Sequence, residues 1–99
     1  MVKPKKIYVP RRGDLVFLDF DPTGGHEQRG HRPAFILSPE SYNAKTSLTL
    51  LIPITKQQKG YPFEVLLPSS LKVQGVILVD QIKCLDWQAR ALDSKEGMR

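Results

Sequence analysis

Polar side chains able to hold and cut a phosphodiester are concentrated in two short stretches. The first is Asp21–His31, DPTGGHEQRGH, which gathers Asp21, His26, Glu27, Gln28, Arg29 and His31, with Arg32 directly after it. The second is Thr55 and the KQQKG that follows it, which supplies Lys56, Gln58 and Lys59. Arginine presents a planar fork to phosphate oxygens. A threonine hydroxyl can donate to the same oxyanion, and a glutamate or histidine can carry a proton. RNA brings its own nucleophile in the 2′-OH, so this set suits cleavage of RNA without a metal.

Other chemistries find less support. No Ser/His/Asp or Cys/His arrangement stands out, and Cys84 lies in an apolar strand context, where a free thiol reads as an inert buried packing group. A single cysteine excludes an intramolecular disulfide and a cysteine-based zinc site. His26 and His31 are too close together for a familiar structural metal site, and Asp19 and Asp21 at a strand end read as caps. The glycines form neither a P-loop nor a GxGxxG motif. The expectation is therefore no metal and no cofactor.

The elements that must position these residues read as short strands. Asp14–Phe20 (DLVFLDF) alternates, with Leu15 and Phe17 on one face and Val16, Leu18 and Phe20 on the other. Pro33–Ser38, Leu48–Thr55 and Tyr61–Leu67 follow, and Pro53 suggests an edge or a bulge in the third strand. Val76–Leu85 holds one long bent strand or two short ones. Glu40–Lys45 reads as a single helical turn after Pro39, and Asp86–Leu92 as the start of a helix with Asp86 as its N-cap. The fold class is mainly β: a small antiparallel barrel or sandwich with short helical turns. If the second and third strands are neighbours, Arg32 and Thr55 face a common groove. The Asp21–His31 connection is longer than the 2–5 residues, roughly, of a usual hairpin loop, and long loops in compact domains are often functional.

With 99 residues the chain makes one domain, too small for a separate cofactor fold. No apolar run approaches the roughly 20 residues that span a membrane, and MVKPKKIYVPRR has no apolar core of a secretion signal. The expected location is cytoplasmic. The net charge of +5 equals the charge of Lys3, Lys5, Lys6, Arg11 and Arg12, since acids and bases balance in the rest of the chain. The expected organisation is a basic arm over 1–12, a barrel over 13–92 and a polar tail over 93–99. The arm is either a solvated tail or a steering element for a polyanion.

Three separated blocks resemble one family. RGDLVFLDFDPTGGHEQRGHRPAFILSP (Arg12–Pro39), PITKQQKGYPFEV (Pro53–Val65) and GVILVDQIKCLDW (Gly75–Trp87) are similar to the MazF/PemK toxins of bacterial toxin–antitoxin systems, more so to the MazF branch. The resemblance runs in order from about Tyr8 to Ala91. It implies a small SH3-like, CcdB/MazF-like barrel and a homodimer. It also implies a metal-independent endoribonuclease that cuts single-stranded mRNA at specific sequences, and an antitoxin partner with an acidic, flexible tail.

On the matching positions, Arg32 corresponds to the family's catalytic arginine and Thr55 to its catalytic threonine. Glu27 and Gln28 match the EQ of the first loop, which binds RNA and shapes the active site, and Gln81 matches a polar position near the RNA face. Arginine stays protonated, so Arg32 is better suited to clamp the charge developing at phosphorus, with Thr55 beside it. Glu27 or His31 then takes the 2′-OH proton, imidazole being the side chain that changes charge nearest neutral pH. The products are a 2′,3′-cyclic phosphate and a 5′-OH end. Phe20 is a candidate ring for stacking a base, with a core role as its alternative. Lys56, Gln58 and Lys59 complete the expected substrate-binding set. Family members continue past the ARA-like segment into a C-terminal helix, whereas Ala89–Ala91 is followed here by LDSKEGMR, so that helix is expected to be missing. Rival readings are an inactive relative that binds RNA or antitoxin, and a gyrase-poisoning toxin on the same barrel.

Overall fold

The computed structural model describes residues 8–20 and 31–89, and the backbone of 93–97. β1 (Asp14–Asp19) pairs antiparallel with β2 (His31–Ile36), which pairs with β3 (Leu48–Thr55). β4 (Glu64–Leu66), β5 (Val76–Leu78), β6 (Lys83–Asp86) and β7 (Asp93–Gly97) complete a seven-stranded sheet in the order β4-β5-β3-β2-β1-β7, with β6 also on β3. No pairing closes β4 onto β7 among the described residues, so the strand path is an open, curled antiparallel sheet.

Alternation along β1 builds a core on each face of the sheet. Leu15 packs with Ile52, Ile54, Leu67, Val73 and Ile77, with Phe17 at its margin. Val16, Leu18 and Phe20 pack with Ala34, Ile36 and Leu51. A sheet buried on both faces needs apolar residues at successive positions, which is why DLVFLDF and LTLLIPIT are nearly continuous apolar runs.

Pro53 is not on an edge. β3 is bordered by β2 on one side, and on the other by β6 as far as Leu51 and by β5 from Ile54. Leu50 directs both its N–H and its C=O toward residues 37 and 38, so Pro53, three residues on, directs its nitrogen to the opposite side. That is the gap between the two partners, where no donor is required.

Several elements differ in extent or type from what their sequence patterns suggest. Tyr61–Phe63 lie outside β4 because Glu64 N–H closes a turn on Tyr61 C=O (3.1 Å) and its carboxylate accepts from Lys59 and Gly60 N–H. The Val76–Leu85 run is two strands, with a 3-10 turn at Val79–Gln81 between them. The turn after Pro39 is a helix, α1 (Glu40–Thr46). Asp86 does act as a cap, accepting from Gln88 and Ala89 N–H at 3.1 and 3.2 Å, yet residues 87–89 form a turn rather than a helix. The chain then returns to β1 as β7, so the stretch expected to be a polar tail carries the strand beyond residue 92.

The end of the expected arm is docked too. Tyr8 packs against the second core cluster and donates its hydroxyl proton to the buried Asp14. Arg12 Nε donates to Leu37 C=O at 2.7 Å, and Arg11 pairs with Glu40 at 2.9 Å. A buried polar network ties this segment to α1 and β3: Asn43, fully buried, donates to Pro10 C=O at 2.8 Å and accepts from Ser38 Oγ at 2.6 Å. Its backbone carbonyl accepts from Trp87 Nε1 at 2.9 Å. Lys3, Lys5 and Lys6 lie outside the described residues.

Cys84 is exposed on β6, opposite Leu50, and not a buried packing group. Alternation along the four-residue β6 turns Cys84 and Asp86 outward while Lys83 and Leu85 are half-buried.

Candidate active site

One end of the sheet collects the candidate positions among the described residues. β1 finishes there, β2 begins, β3 finishes and β5 begins, because all these neighbours are antiparallel. The β2–β3 ladder runs from Ile36↔Leu51 to Ala34↔Pro53, and its register continued by two residues sets Arg32 opposite Thr55. Beyond the ladder a cavity of about 570 Å³ opens, lined by both residues together with His31, Lys56 and Gln57. Phe17, Pro33, Ile54 and Val73 form its apolar part, and Lys72 and Gln74 a further wall.

His31 and Asp19 are direct register partners across β1 and β2, so their side chains project to the same face. Nδ1 of His31 lies 2.7 Å from Asp19 Oδ1. A carboxylate only accepts, so the imidazole carries a proton on Nδ1 and donates it there. The ring also stacks on Phe17, with centroids 5.9 Å apart and planes 28° apart. Asp19 is therefore a partner of His31 rather than only a strand-end cap, and Nε2 is left for the cavity.

Thr55 is 5% exposed. Its Oγ1 accepts from Gln57 N–H at 3.2 Å, which leaves the hydroxyl proton for another acceptor. Its backbone is fixed by Gly75: a Cβ on that residue would stand 2.3 Å from the Thr55 carbonyl oxygen, and its φ of +131° is one that side-chain-bearing residues avoid. Gly75 is thus a site-supporting residue whose role was invisible before the β3–β5 approach was known.

Thr55 and Gln57 also line a second cavity of about 370 Å³, with Lys59, Tyr61, Phe63, Asp80 and Gln81. The structure therefore distributes the expected substrate-binding residues: Lys56 in the first cavity, Lys59 and Gln81 in the second, and Gln58 lining neither. Glu27 and Gln28 lie outside the described residues. Phe20 is a correction. It is 1% exposed within the second core cluster, where its ring packs among aliphatic side chains and no base can stack on it. The phenylalanine at the first cavity is Phe17, in β1 and packed on the other core cluster. Among the described residues no three His, Cys, Asp or Glu side chains gather as metal ligands, and no helix is long and apolar enough to cross a membrane.

Comparison with known proteins agrees with the blocks noted in the sequence. Residues 11–97 match the family described as PemK-like, MazF-like toxin of type II toxin–antitoxin system. The endoribonuclease toxin MazF of Escherichia coli K12 is 56% identical over 88 residues, which cover 89% of this chain and 78% of that protein. The endoribonuclease toxin ChpB of the same organism is 39% identical, with 80% of this chain and 72% of that protein covered. The crystal structure of MazF from Deinococcus radiodurans superposes with a TM-score of 0.90 at 48% identity, covering 94% of this chain and 84% of that one. A MazE–MazF crystal structure from the same organism superposes at 0.83, with the same 48% identity and the same coverage. With both the family match and the barrel-like sheet in agreement, the chain belongs to the PemK-like, MazF-like toxins of type II toxin–antitoxin systems, on the MazF branch.

Proposed function

We propose that the cavity between Arg32 and Thr55 is the RNA-cleaving centre of an endoribonuclease toxin, acting on single-stranded mRNA without a metal. The observation that carries this reading is the convergence on one cavity of an arginine fork, a threonine hydroxyl with its proton available, and an imidazole held by a carboxylate. Arg32 binds the non-bridging oxygens of the scissile phosphate, and Thr55 Oγ1 donates to the same oxygens as charge grows on them. His31 Nε2 takes the proton of the 2′-OH, which attacks phosphorus. The bond to the 5′-oxygen breaks as that oxygen takes a proton from Glu27 or water, leaving a 2′,3′-cyclic phosphate and a 5′-OH, and the imidazolium returns its proton to solvent. Asp19 keeps the imidazole in the tautomer with Nε2 free and stabilises the imidazolium that forms. Glu27, in the connection between β1 and β2, serves as a second proton carrier and Gln28 as an RNA contact.

The second cavity, with Lys59 and Gln81, accommodates the neighbouring part of the strand. The protein acts as a homodimer, with the β1–β2 connections of both copies flanking a shared groove. Its inhibitor is an antitoxin whose acidic, flexible segment occupies the same cationic surface. The MazE–MazF complexes of the relative support the antitoxin reading.

The test is incubation with a long single-stranded RNA in EDTA, with the cut ends mapped. Cleavage to cyclic phosphate and 5′-OH ends is expected, and an Arg32→Ala variant should retain its circular dichroism spectrum and lose at least about 100-fold in kcat. Cleavage that stops in EDTA and returns with Mg²⁺ overturns the metal-free reading. An Arg32→Ala enzyme near parental rate overturns the site.

A further inference from the structure

We propose that Lys72 is a further RNA-binding residue, holding a backbone phosphate adjacent to the scissile one; the inference rests on the reading of the cavity as the RNA-cleaving centre. The segment of residues 67–75 between β4 and β5 builds one wall of that cavity, outside the arginine–threonine–histidine set, and Lys72 stands on it. Leu67 and Val73 are buried and Leu71 half-buried in the cluster that also holds Ile54, the residue before Thr55. Lys72 is flanked by two of these anchors, so its backbone is pinned on both sides while its side chain is exposed.

The segment is braced by its own hydrogen bonds. Leu71 N–H donates to Pro68 C=O at 3.2 Å, and Leu67 N–H to Gly75 C=O at 3.0 Å. The Gln74 amide donates to the carbonyls of Ser69 and Leu71. Ordering of this wall is therefore complete before RNA arrives, which removes one cost of binding.

Charge gives the ligand class. Arg32, Lys56 and Lys72 line the cavity, and among the described residues no aspartate or glutamate does. The Lys72 ammonium has no ion pair or hydrogen bond with the described protein. One scissile phosphate neutralises one of these cations. A strand carrying a second phosphate into the cavity balances more of them, and a polynucleotide does this where a mononucleotide does not. A lysine is a point charge without a fork, so it anchors the backbone and reads no base.

The experiment compares Lys72→Gln, Lys72→Arg and, as a control for net charge, Lys45→Gln on the exposed face of α1, using a short fluorogenic RNA across a salt series. A 2′-deoxy analogue of the same strand reports binding without cleavage. Lys72→Gln should raise KM and the analogue Kd about 5- to 10-fold, keep kcat within about twofold, and reduce the slope of log K against log salt by about 0.7. Lys72→Arg should restore both, Lys45→Gln should change neither, and the preferred cleavage sequence should not move. Unchanged KM and Kd for Lys72→Gln overturn the inference, as does a fall in kcat at constant KM. Weakened binding of a polyglutamate peptide with RNA binding intact would assign Lys72 to an acidic protein instead, and would also overturn it. If the parent protein does not cut RNA at all, the reading of the cavity fails, and the analogue Kd still judges Lys72.

Discussion

Arg32 cannot be the proton carrier, because its guanidinium is always charged, and Thr55 is a donor to oxygen rather than a base. That leaves Glu27 and His31 as the proposed proton carriers; Glu27 lies outside the described residues, and for His31 the structure supplies what an imidazole needs. Asp19 holds Nδ1 at 2.7 Å, and Phe17 stacks on the ring. Asp19→Asn keeps the shape but offers an amide that can turn either its oxygen or its N–H to the ring, so the tautomer is no longer enforced. The expected result is a fall in kcat of about 10- to 100-fold with KM little changed. Imidazole nitrogen shifts by NMR should show the proton leaving Nδ1. A variant with parental kcat would make the pair a surface ion pair only, an interaction worth roughly 0–1 kcal/mol at such exposure.

At the scale of elements, the site depends on how tightly β5 approaches the end of β3. Gly75 has no side chain where a Cβ would meet the Thr55 carbonyl at 2.3 Å. The obstruction is backbone, so no rotamer change relieves it. Gly75→Ala must push the end of β3 away from β5 and take Thr55 with it. We expect a loss of about 2–4 kcal/mol in stability, measured by denaturant unfolding. In the folded enzyme at low temperature, kcat should fall at least about tenfold as Thr55 moves off the oxyanion. Parental kcat with reduced stability would show that Thr55 tolerates the displacement. The Ser38–Asn43–Thr49 network performs a different task at the far side of β3, joining α1 and residue 10 to the sheet through buried hydrogen bonds. Its satisfied polar groups account for a buried asparagine in a seven-residue helix.

At the scale of the whole molecule, the charge divides in a way the sequence alone did not suggest. Of the five N-terminal cations, Arg11 and Arg12 are engaged with Glu40 and with the Leu37 carbonyl. Lys3, Lys5 and Lys6 remain as the candidates for steering a polyanion. Neutralising these three should lower the association rate for RNA about 3- to 10-fold at low salt, with little change in dissociation, and the difference should shrink as salt approaches 0.15 M, where the Debye length is about 8 Å. Stopped-flow fluorescence measures both rates. Deleting residues 1–10 instead would remove Tyr8 and Pro10, which the fold uses, and would confuse steering with stability. An effect confined to dissociation would make the arm a docking element.

Much of this was determined by local pattern. Alternation in DLVFLDF separates the two cores correctly, because a strand must send successive side chains to opposite faces. The end of β3 at Thr55 matches its pattern, whereas β1 stops one residue before the pattern does. The meeting of Arg32 with Thr55 follows once the second and third strands are neighbours, which the β2–β3 ladder makes them. What pattern did not determine is which face of a buried strand is solvent-accessible at its end. Phe17 lies in β1 and Phe20 directly follows it, and only the assembled sheet puts the first at the cavity and the second in the core. The same holds for Pro53, whose missing donor is harmless only because β6 stops and β5 starts beside it. It holds again for a polar carboxy-terminal stretch that is a strand because β1 has a free edge. The meeting of Asp19 with His31, of Gly75 with Thr55 and of Lys72 with the cavity wall are non-local contacts. Each depends on the register or approach of segments far apart in the chain, which residue type and spacing do not encode and tertiary packing decides.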